Sequence, residues 1–265
     1  MLREPFFSIN TSQLKEVETG VESFMKDDSD ARRSPNCQTY FDGRSEAWGG
    51  NYAPGGGMVE RLTRFVEQLK RRLPDRARIL DFGCGTGDIA VRCGREGYQV
   101  DAVDASAGMV EAATGRFRAE SVVFRFCEDT LKLPYANGTF DGVIASSVVE
   151  YIGPLEAQLR ELHRVCKAGG HAFITVPNMS HPIRWGEAIE RFLVSPVLPR
   201  LAGSWREREE YLKLSINRVS RRAWRGTFER AGWTVVAIEH RSTPLAMIVA
   251  EKVEERESMR AEALR

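Results

Sequence analysis

The stretch that most constrains this chain is Ile79–Asp88, which reads Ile-Leu-Asp-Phe-Gly-Cys-Gly-Thr-Gly-Asp. An acidic residue, Asp104, closes a second apolar run sixteen positions later. Arg78–Phe82 reads as a short buried strand and Asp88–Glu96 as the start of a helix, with the glycines where one turns sharply into the other. Gly83, Gly85 and Gly87 lack a Cβ, so the backbone can take positive φ and a ligand can come close to its amides. All dinucleotide-binding folds share such a turn. Here, however, the glycines fall at i, i+2 and i+4 rather than i, i+2 and i+5, and Asp81 stands two residues before the first.

Around that turn the chain alternates. Strands are expected at Arg78–Phe82, Gln99–Asp104, Val122–Cys127, Gly142–Ser146 and His171–Val176. The helices between them are expected at about Ile89–Arg95, Ala107–Ala119 and Leu155–Lys167, the last ended by Lys167-Ala-Gly-Gly170 through a left-handed glycine. This βαβα rhythm argues a parallel sheet with helices on both faces, whose ligands bind beyond the carboxyl ends of the strands. Residues 1–75 form a separate, helical stretch. Ser12–Lys26 has helical spacing, Tyr40–Tyr52 is aromatic, and Met58–Leu73 is amphipathic and stopped by Pro74. Residues 179–218 break the rhythm with three prolines and helices at about Ile183–Val194 and Trp205–Leu214. A helix over Ser220–Ala231 and two strands, Trp233–His240 and Leu245–Lys252, follow. The segment 253–265 is a charged tail.

Bulk composition excludes several classes. Lys and Arg number 38 against 37 Asp and Glu, so no net field recruits nucleic acid or acidic lipid. The five cysteines are odd in number and scattered without a C-x-x-C, and the four histidines are not paired, which argues against a disulfide frame and a metal centre. With no apolar leader and no membrane-length run, the expectation is a soluble cytoplasmic protein, monomer or homodimer, without stable membrane insertion.

The Asp81–Gly87 pattern resembles motif I of class I S-adenosylmethionine-dependent methyltransferases, and four further blocks extend the resemblance over residues 36–178. These are Val100–Val110, Glu128–Pro134 with its acidic pair ahead of Leu-Pro, Phe140–Ile152, and Leu159–Gly170. The resemblance is closest to the ubiquinone/menaquinone-biosynthesis type of small-molecule methyltransferase. It implies a Rossmann-like doubly wound α/β fold, mostly parallel with an antiparallel last strand, carrying N-terminal helices and a helical lid inserted after the fifth strand. It also implies S-adenosyl-L-methionine as cofactor and S-adenosyl-L-homocysteine as product. On this reading Asp81 meets the methionine ammonium, and the amides of Gly83, Cys84, Gly85 and Gly87 face the methionyl and ribose part. Asp104, followed by Ala105, accepts the ribose hydroxyls. Met109 covers adenine, and Asp129, with Glu128 as alternate and Thr130 beside it, accepts the adenine amino group. Ser146 ends the fourth strand near the reactive end, and Tyr52 sets a ring beside the sulfonium.

Catalytic candidates are weaker. Tyr151 stands where relatives often carry His after Glu150, which leaves His181, just after Val176-Pro-Asn178, as the leading general base and Tyr151 behind it. His163 and His171 read as structural, and Asp141 as a turn carboxylate. The acceptor expected is a small, largely apolar molecule carrying a hydroxyl or an amine, because the 179–218 segment is rich in Trp, Phe, Leu and Pro. A dimer contact or a membrane-surface contact would use the same residues, and the few basic residues of Ile183–Val194 favour the lid. Two other classes stay open. One is a nicotinamide-dependent oxidoreductase on the same fold; the other is a non-catalytic S-adenosylmethionine-binding protein.

Overall fold

The computed structural model describes residues 35–118, 120–187, 213–240 and 242–253. The expected helix at Ser12–Lys26, most of those at Ile183–Val194 and Trp205–Leu214, and nearly all of the tail lie outside these residues. Within them, Pro35–Asp42 (α1) and Ser45–Trp48 (α2) lead through a 3₁₀ turn at Gly49–Tyr52 to Val59–Arg72 (α3). The alternating region follows as Arg78–Phe82 (β1), Asp88–Arg95 (α4), Gln99–Asp104 (β2), Ala107–Arg116 (α5) and Val122–Phe126 (β3). It continues with Phe140–Ala145 (β4), a 3₁₀ turn at Val149–Tyr151, Leu155–Val165 (α6) and Cys166–Pro177 (β5). Arg221–Arg230 (α7), Thr234–Glu239 (β6) and Leu245–Glu251 (β7) complete it.

The seven strands form one sheet in the order β3-β2-β1-β4-β5-β7-β6. The first five pair in parallel, and β7 lies antiparallel between β5 and β6. Side chains alternate across it with period two, as buried strands require. Leu80, Phe82, Val143, Ile174 and Ile248 pack on one face with α6 and α7, whose Leu159, Leu162, Trp224 and Phe228 are fully buried. Ile79, Val100, Ile144, Phe173 and Val249 pack on the other with Phe65 and Leu69 of α3 and Ile89 and Ala90 of α4. Burying each such side chain contributes on the order of 1.5–3 kcal/mol.

Several expected termini shift by a few residues, α5 ending at Arg116 rather than Ala119 and β4 starting at Phe140 rather than Gly142, and the junction before β5 shifts most. α6 ends at Val165, Cys166 is already extended, and Lys167–Gly170 belongs to β5. Gly169 does take φ 74°, but inside a register shift between β4 and β5 rather than at a helix cap. At the same register shift Asp141 of β4 accepts from both the Arg78 N–H and the Lys167 ammonium.

The sheet order reverses between β1, which runs on to β2 and β3, and β4, which runs on to β5. Such a switch point leaves a crevice beyond the strand ends, and here β1, β2 and β4 deliver Asp81, Asp104 and Ser146 to one cavity.

Candidate functional site

The floor of that cavity is the turn after β1. Gly83, Gly85 and Gly87 all have positive φ, at 71°, 53° and 81°. The three serve different ends. A Cβ on Gly83 would fall 2.3 Å from Val148, so its absence lets the 148 loop close in. A Cβ on Gly87 would lie 2.5 Å from the Phe124 ring, so this residue, which caps α4 and lies outside the lining, is a packing glycine. Only Gly85 faces open space, with the Trp48 indole 3.8 Å from where its Cβ would be.

The charges of the floor are few. Asp81 is almost fully buried and its Oδ2 has no hydrogen-bond partner among the described residues. Burial, then the neighbouring Asp104 carboxylate, pushes its pKa up to about 8. Asp104 is braced: the N–H of Gly85 donates to its Oδ2 and that of Ser106 to its Oδ1, both at 2.8 Å. Ala105 and the buried Met109 carry the lining onward from β2 into α5. Ser146, at the end of β4, has a buried Oγ without a partner among the described residues.

The roof comes from the N-terminal helices. Phe41 of α1 meets Trp48 and Tyr151 edge-on, each at 5.4 Å between centroids. Asp42 Oδ1 accepts from Ser106 Oγ and from the N–H of Gly108 at 3.4 Å, which pins the end of α1 onto the first turn of α5. Tyr52 also lines the cavity, and burial raises its phenol pKa. Arg61, on α3, was not legible as a site residue. Its guanidinium lines the cavity, donates to Ser147 Oγ at 3.0 Å, and is hydrogen-bonded to Tyr52. Ser147 itself sits at φ 56°, with its N–H donating to Thr175 Oγ1 at 2.8 Å.

Of the expected residues, Tyr52, Asp81, Gly83, Cys84, Gly85, Asp104, Ala105, Met109, Thr130, Ser146 and Tyr151 come together in this lining. Glu128 and Asp129 stand exposed outside it, the Asp129 carboxylate accepting the N–H of Leu131 at 3.1 Å. His181 also lies outside. The chain turns away after β5 into a helical segment over 182–187, and His181 Nδ1 accepts the N–H of Ile183 at 3.3 Å at its start. Cys37, Phe41, Met58 and Ile152 complete an apolar side, with the amide of Gln38 in the same lining. The only sequence signal for Phe41 was the aromatic density of Tyr40–Tyr52.

Two tethers run from the Val149–Tyr151 turn to the far end of the inserted segment. Ser215 Oγ donates to the buried Glu150 Oε2 at 2.8 Å, and Asn217 Nδ2 donates to the carbonyls of Val149 and Ile152 at 2.8 and 2.7 Å. Behind them, buried Arg184 donates to both oxygens of Glu187 at 3.0 and 2.8 Å, and Arg218 reaches the same carboxylate. That ion pair joins the two roots of the insertion. Among the described residues no cluster of His, Cys, Asp and Glu could hold a metal ion, and no helix is long and apolar enough to cross a membrane.

Comparison with known proteins bears on this geometry. A family model for the methyltransferase domain matches residues 56–238. The ubiquinone/menaquinone biosynthesis C-methyltransferase of Desulfotalea psychrophila is 35% identical over 116 residues, 43% of this chain and 46% of that protein. The demethylmenaquinone methyltransferase of Clavibacter sepedonicus is 30% identical over 183 residues, 66% of this chain and 72% of that one. Against several curated relatives the chain spans about half of their length or less. The fold matches that of a SAM-dependent methyltransferase from Thermotoga maritima, with TM-score 0.57, 18% identity, and coverage of 81% of this chain and 99% of the other. From motif, sheet order and these matches together, the chain belongs to the class I S-adenosylmethionine-dependent methyltransferase family, and within it resembles the ubiquinone/menaquinone-biosynthesis type.

Proposed function

We propose that the chain transfers the methyl group of S-adenosylmethionine to a hydroxyl, or an amine, of a small, largely apolar metabolite by in-line displacement. The observation that carries this reading is the buried carboxylate of Asp81, whose Oδ2 has no hydrogen-bond partner among the described residues, beside the open face of Gly85. A buried acid costs stability when ionised, and a cationic ligand offsets that cost. The methionyl part of the cofactor is a zwitterion, and the lining offers one group of each sign. Asp81 suits the ammonium. Arg61, bonded to hydroxyls and without a carboxylate at salt-bridge distance among the described residues, suits the carboxylate. Asp104, Ala105, Met109 and Thr130 would hold the adenosine end. The exposed Glu128 and Asp129 would reach it only from the rim.

When bound, S-adenosylmethionine supplies a methyl group on a cationic sulfur, already activated, so the protein contributes mainly orientation and exclusion of water. Phe41, Trp48 and Tyr52 present ring faces and edges suited to a cation and form the roof. Tyr151 takes the acceptor-facing position, where its phenol can orient a hydroxyl. His181 keeps no part in this proposal because the turn after β5 carries it outside the lining. Residues 35–75 would act as a cover, and 179–218 as the element that selects the acceptor.

The test is calorimetric titration of the chain with S-adenosylmethionine and with nicotinamide nucleotides, followed by a screen of apolar phenols and amines for S-adenosylhomocysteine release. Binding of the first ligand only, with release from one acceptor class, is expected. Preference for a nicotinamide nucleotide would overturn the reading.

A further inference from the structure

We infer that a second cavity beside the first receives the acceptor, and that His240 is the base that takes the proton from a phenolic acceptor hydroxyl. The inference rests on the methyl transfer proposed above and narrows its acceptor. The second cavity measures about 270 Å³ against about 130 Å³ for the first. Arg61 lines both. Its guanidinium donates to Ser147 Oγ in the first lining, and the N–H of Ser147 donates to Oγ1 of Thr175 in the second. The two cavities therefore share a wall at the carboxyl ends of β4 and β5. The reading above gives the first cavity to the cofactor, with Ser146 near its reactive end, so the acceptor has to be held in a neighbouring space.

The lining selects a phenol. Phe65, Leu245 and Met247 give it an apolar side. His240 lines the same cavity, and its Nε2 is buried without a hydrogen-bond partner among the described residues. A buried polar atom calls for a partner, and a neutral ring nitrogen accepts from a hydroxyl. Burial, then the Arg64 guanidinium, lowers the His240 pKa against the carboxylates of Glu239, Glu67 and Glu60. The ring is therefore neutral at pH 7 and able to take a proton. Arg64 is itself paired with Glu60 and reaches Thr243 Oγ1 at 3.4 Å, so it tunes the ring and is no spare ligand. An amine attacks through its own lone pair, whereas a hydroxyl has to give up its proton, and that of a phenol is acidic enough for imidazole. The backbone marks the same place. Among the described residues three non-glycines have positive φ, and two of them, Ser147 at 56° and His240 at 53°, line these cavities. Such strain collects at functional sites. The turn that carries His240 is fixed from the end of β5: Asn178 Nδ2 donates to the Thr243 carbonyl at 2.8 Å and the Asn178 N–H to that of Pro244 at 2.9 Å.

In the step, the acceptor oxygen bonds to the methyl carbon as the methyl–sulfur bond breaks, and the hydroxyl proton passes to His240 Nε2 and then to water. A phenol and S-adenosylmethionine thus give a methyl ether, S-adenosylhomocysteine and one proton. The test titrates phenol and anisole, which lacks the hydroxyl donor, into the full chain saturated with S-adenosylhomocysteine. Wild type should bind phenol about tenfold more tightly than anisole, and less tightly at about pH 5 than at about pH 7.5, as the ring protonates. His240→Asn accepts the left-handed backbone and should erase both differences. Leu245→Trp should fill the cavity and block both probes. S-adenosylhomocysteine affinity should be unchanged in either variant, because neither residue lines the first cavity. Turnover of a phenol found in the release screen should fall at least about a hundredfold in His240→Asn. Equal binding of the two probes by wild type, a phenol preference or pH dependence that persists in His240→Asn, unimpaired phenol binding in Leu245→Trp, or turnover of amines alone would overturn the inference and leave the cofactor reading standing. Failure to bind S-adenosylhomocysteine would overturn the proposed function, and this acceptor site with it.

Discussion

Asp81 carries opposite demands at the scale of a single side chain. Its folded pKa of about 8 lies far above the ordinary carboxylate value of about 3.9, so the ligand-free fold prefers it protonated. The stability this group lends is complete below about pH 4 and is lost as the pH rises through about 8. Asp81→Asn should therefore stabilise the ligand-free protein at pH 8, by a few kcal/mol at most, and weaken S-adenosylmethionine binding at least about tenfold through the lost charge pair. Denaturant titration beside calorimetry would check both signs. Binding of the cationic ligand should also expel the Asp81 proton at pH 7. Calorimetry in buffers of different ionisation heat should read close to one proton released in the wild type and none in Asp81→Asn. The glycines separate similarly. Gly85→Ala leaves ordinary van der Waals space around the new methyl but opposes φ 53°, costing about 1–2 kcal/mol, and it should impair ligand binding. Gly87→Ala should instead impair folding, because its methyl would meet the Phe124 ring. Thermal melts and binding curves on the two variants would distinguish the roles.

The secondary-structure elements separate what was legible in the sequence from what was not. β1 and β2 fall where their apolar runs end, because a strand buried on both faces has no reason to fray. Asp81 and Asp104 followed directly, since a residue at the carboxyl end of such a strand has one place to go. Arg61 did not, because on a helix wheel it is only one more cation in an amphipathic segment with a basic last turn. Its place in the lining depends on α3 reaching the loop after β4, a contact with Ser147 made across 86 positions of sequence. His181 falls outside the lining for the converse reason: strand register brings it to the end of β5, and the chain turns away there into the helical segment over 182–187. The α1 cover depends on Asp42, whose carboxylate holds the first turn of α5. Asp42→Ala should speed hydrogen exchange throughout α1 and α2 and lower cofactor affinity several-fold, at about 1–2 kcal/mol for a helix-capping contact. Exchange measured by mass spectrometry with and without S-adenosylhomocysteine is the check. Equal protection in both proteins would show that the cover is held by its aromatic contacts alone.

Across the whole molecule, pH stability should have an acid limb that arises far from the cavity. His163 packs edge-on against Trp233, and burial, with the Lys252 ammonium nearby, pulls its pKa down to about 4. Its contribution is complete above the unfolded value of about 6.5 and declines as the pH falls toward about 4. Urea midpoints at pH 7 and pH 5 should differ less in His163→Gln than in the wild type. The sheet order sets a different limit, in time rather than in pH. β5 is an inner strand, paired with β4 on one side and with β7 on the other, and β7 begins at Leu245, after an insertion and a helix have intervened. Until residues 245–251 have been synthesised, β5 exposes a bare edge of Phe173, Ile174 and Val176, and β6 has no place in the sheet. Vectorial synthesis thus leaves an apolar edge unsealed for a long interval. The nascent chain should depend on chaperones during that interval, and a stop codon just before Leu245 should yield aggregate rather than a smaller folded domain.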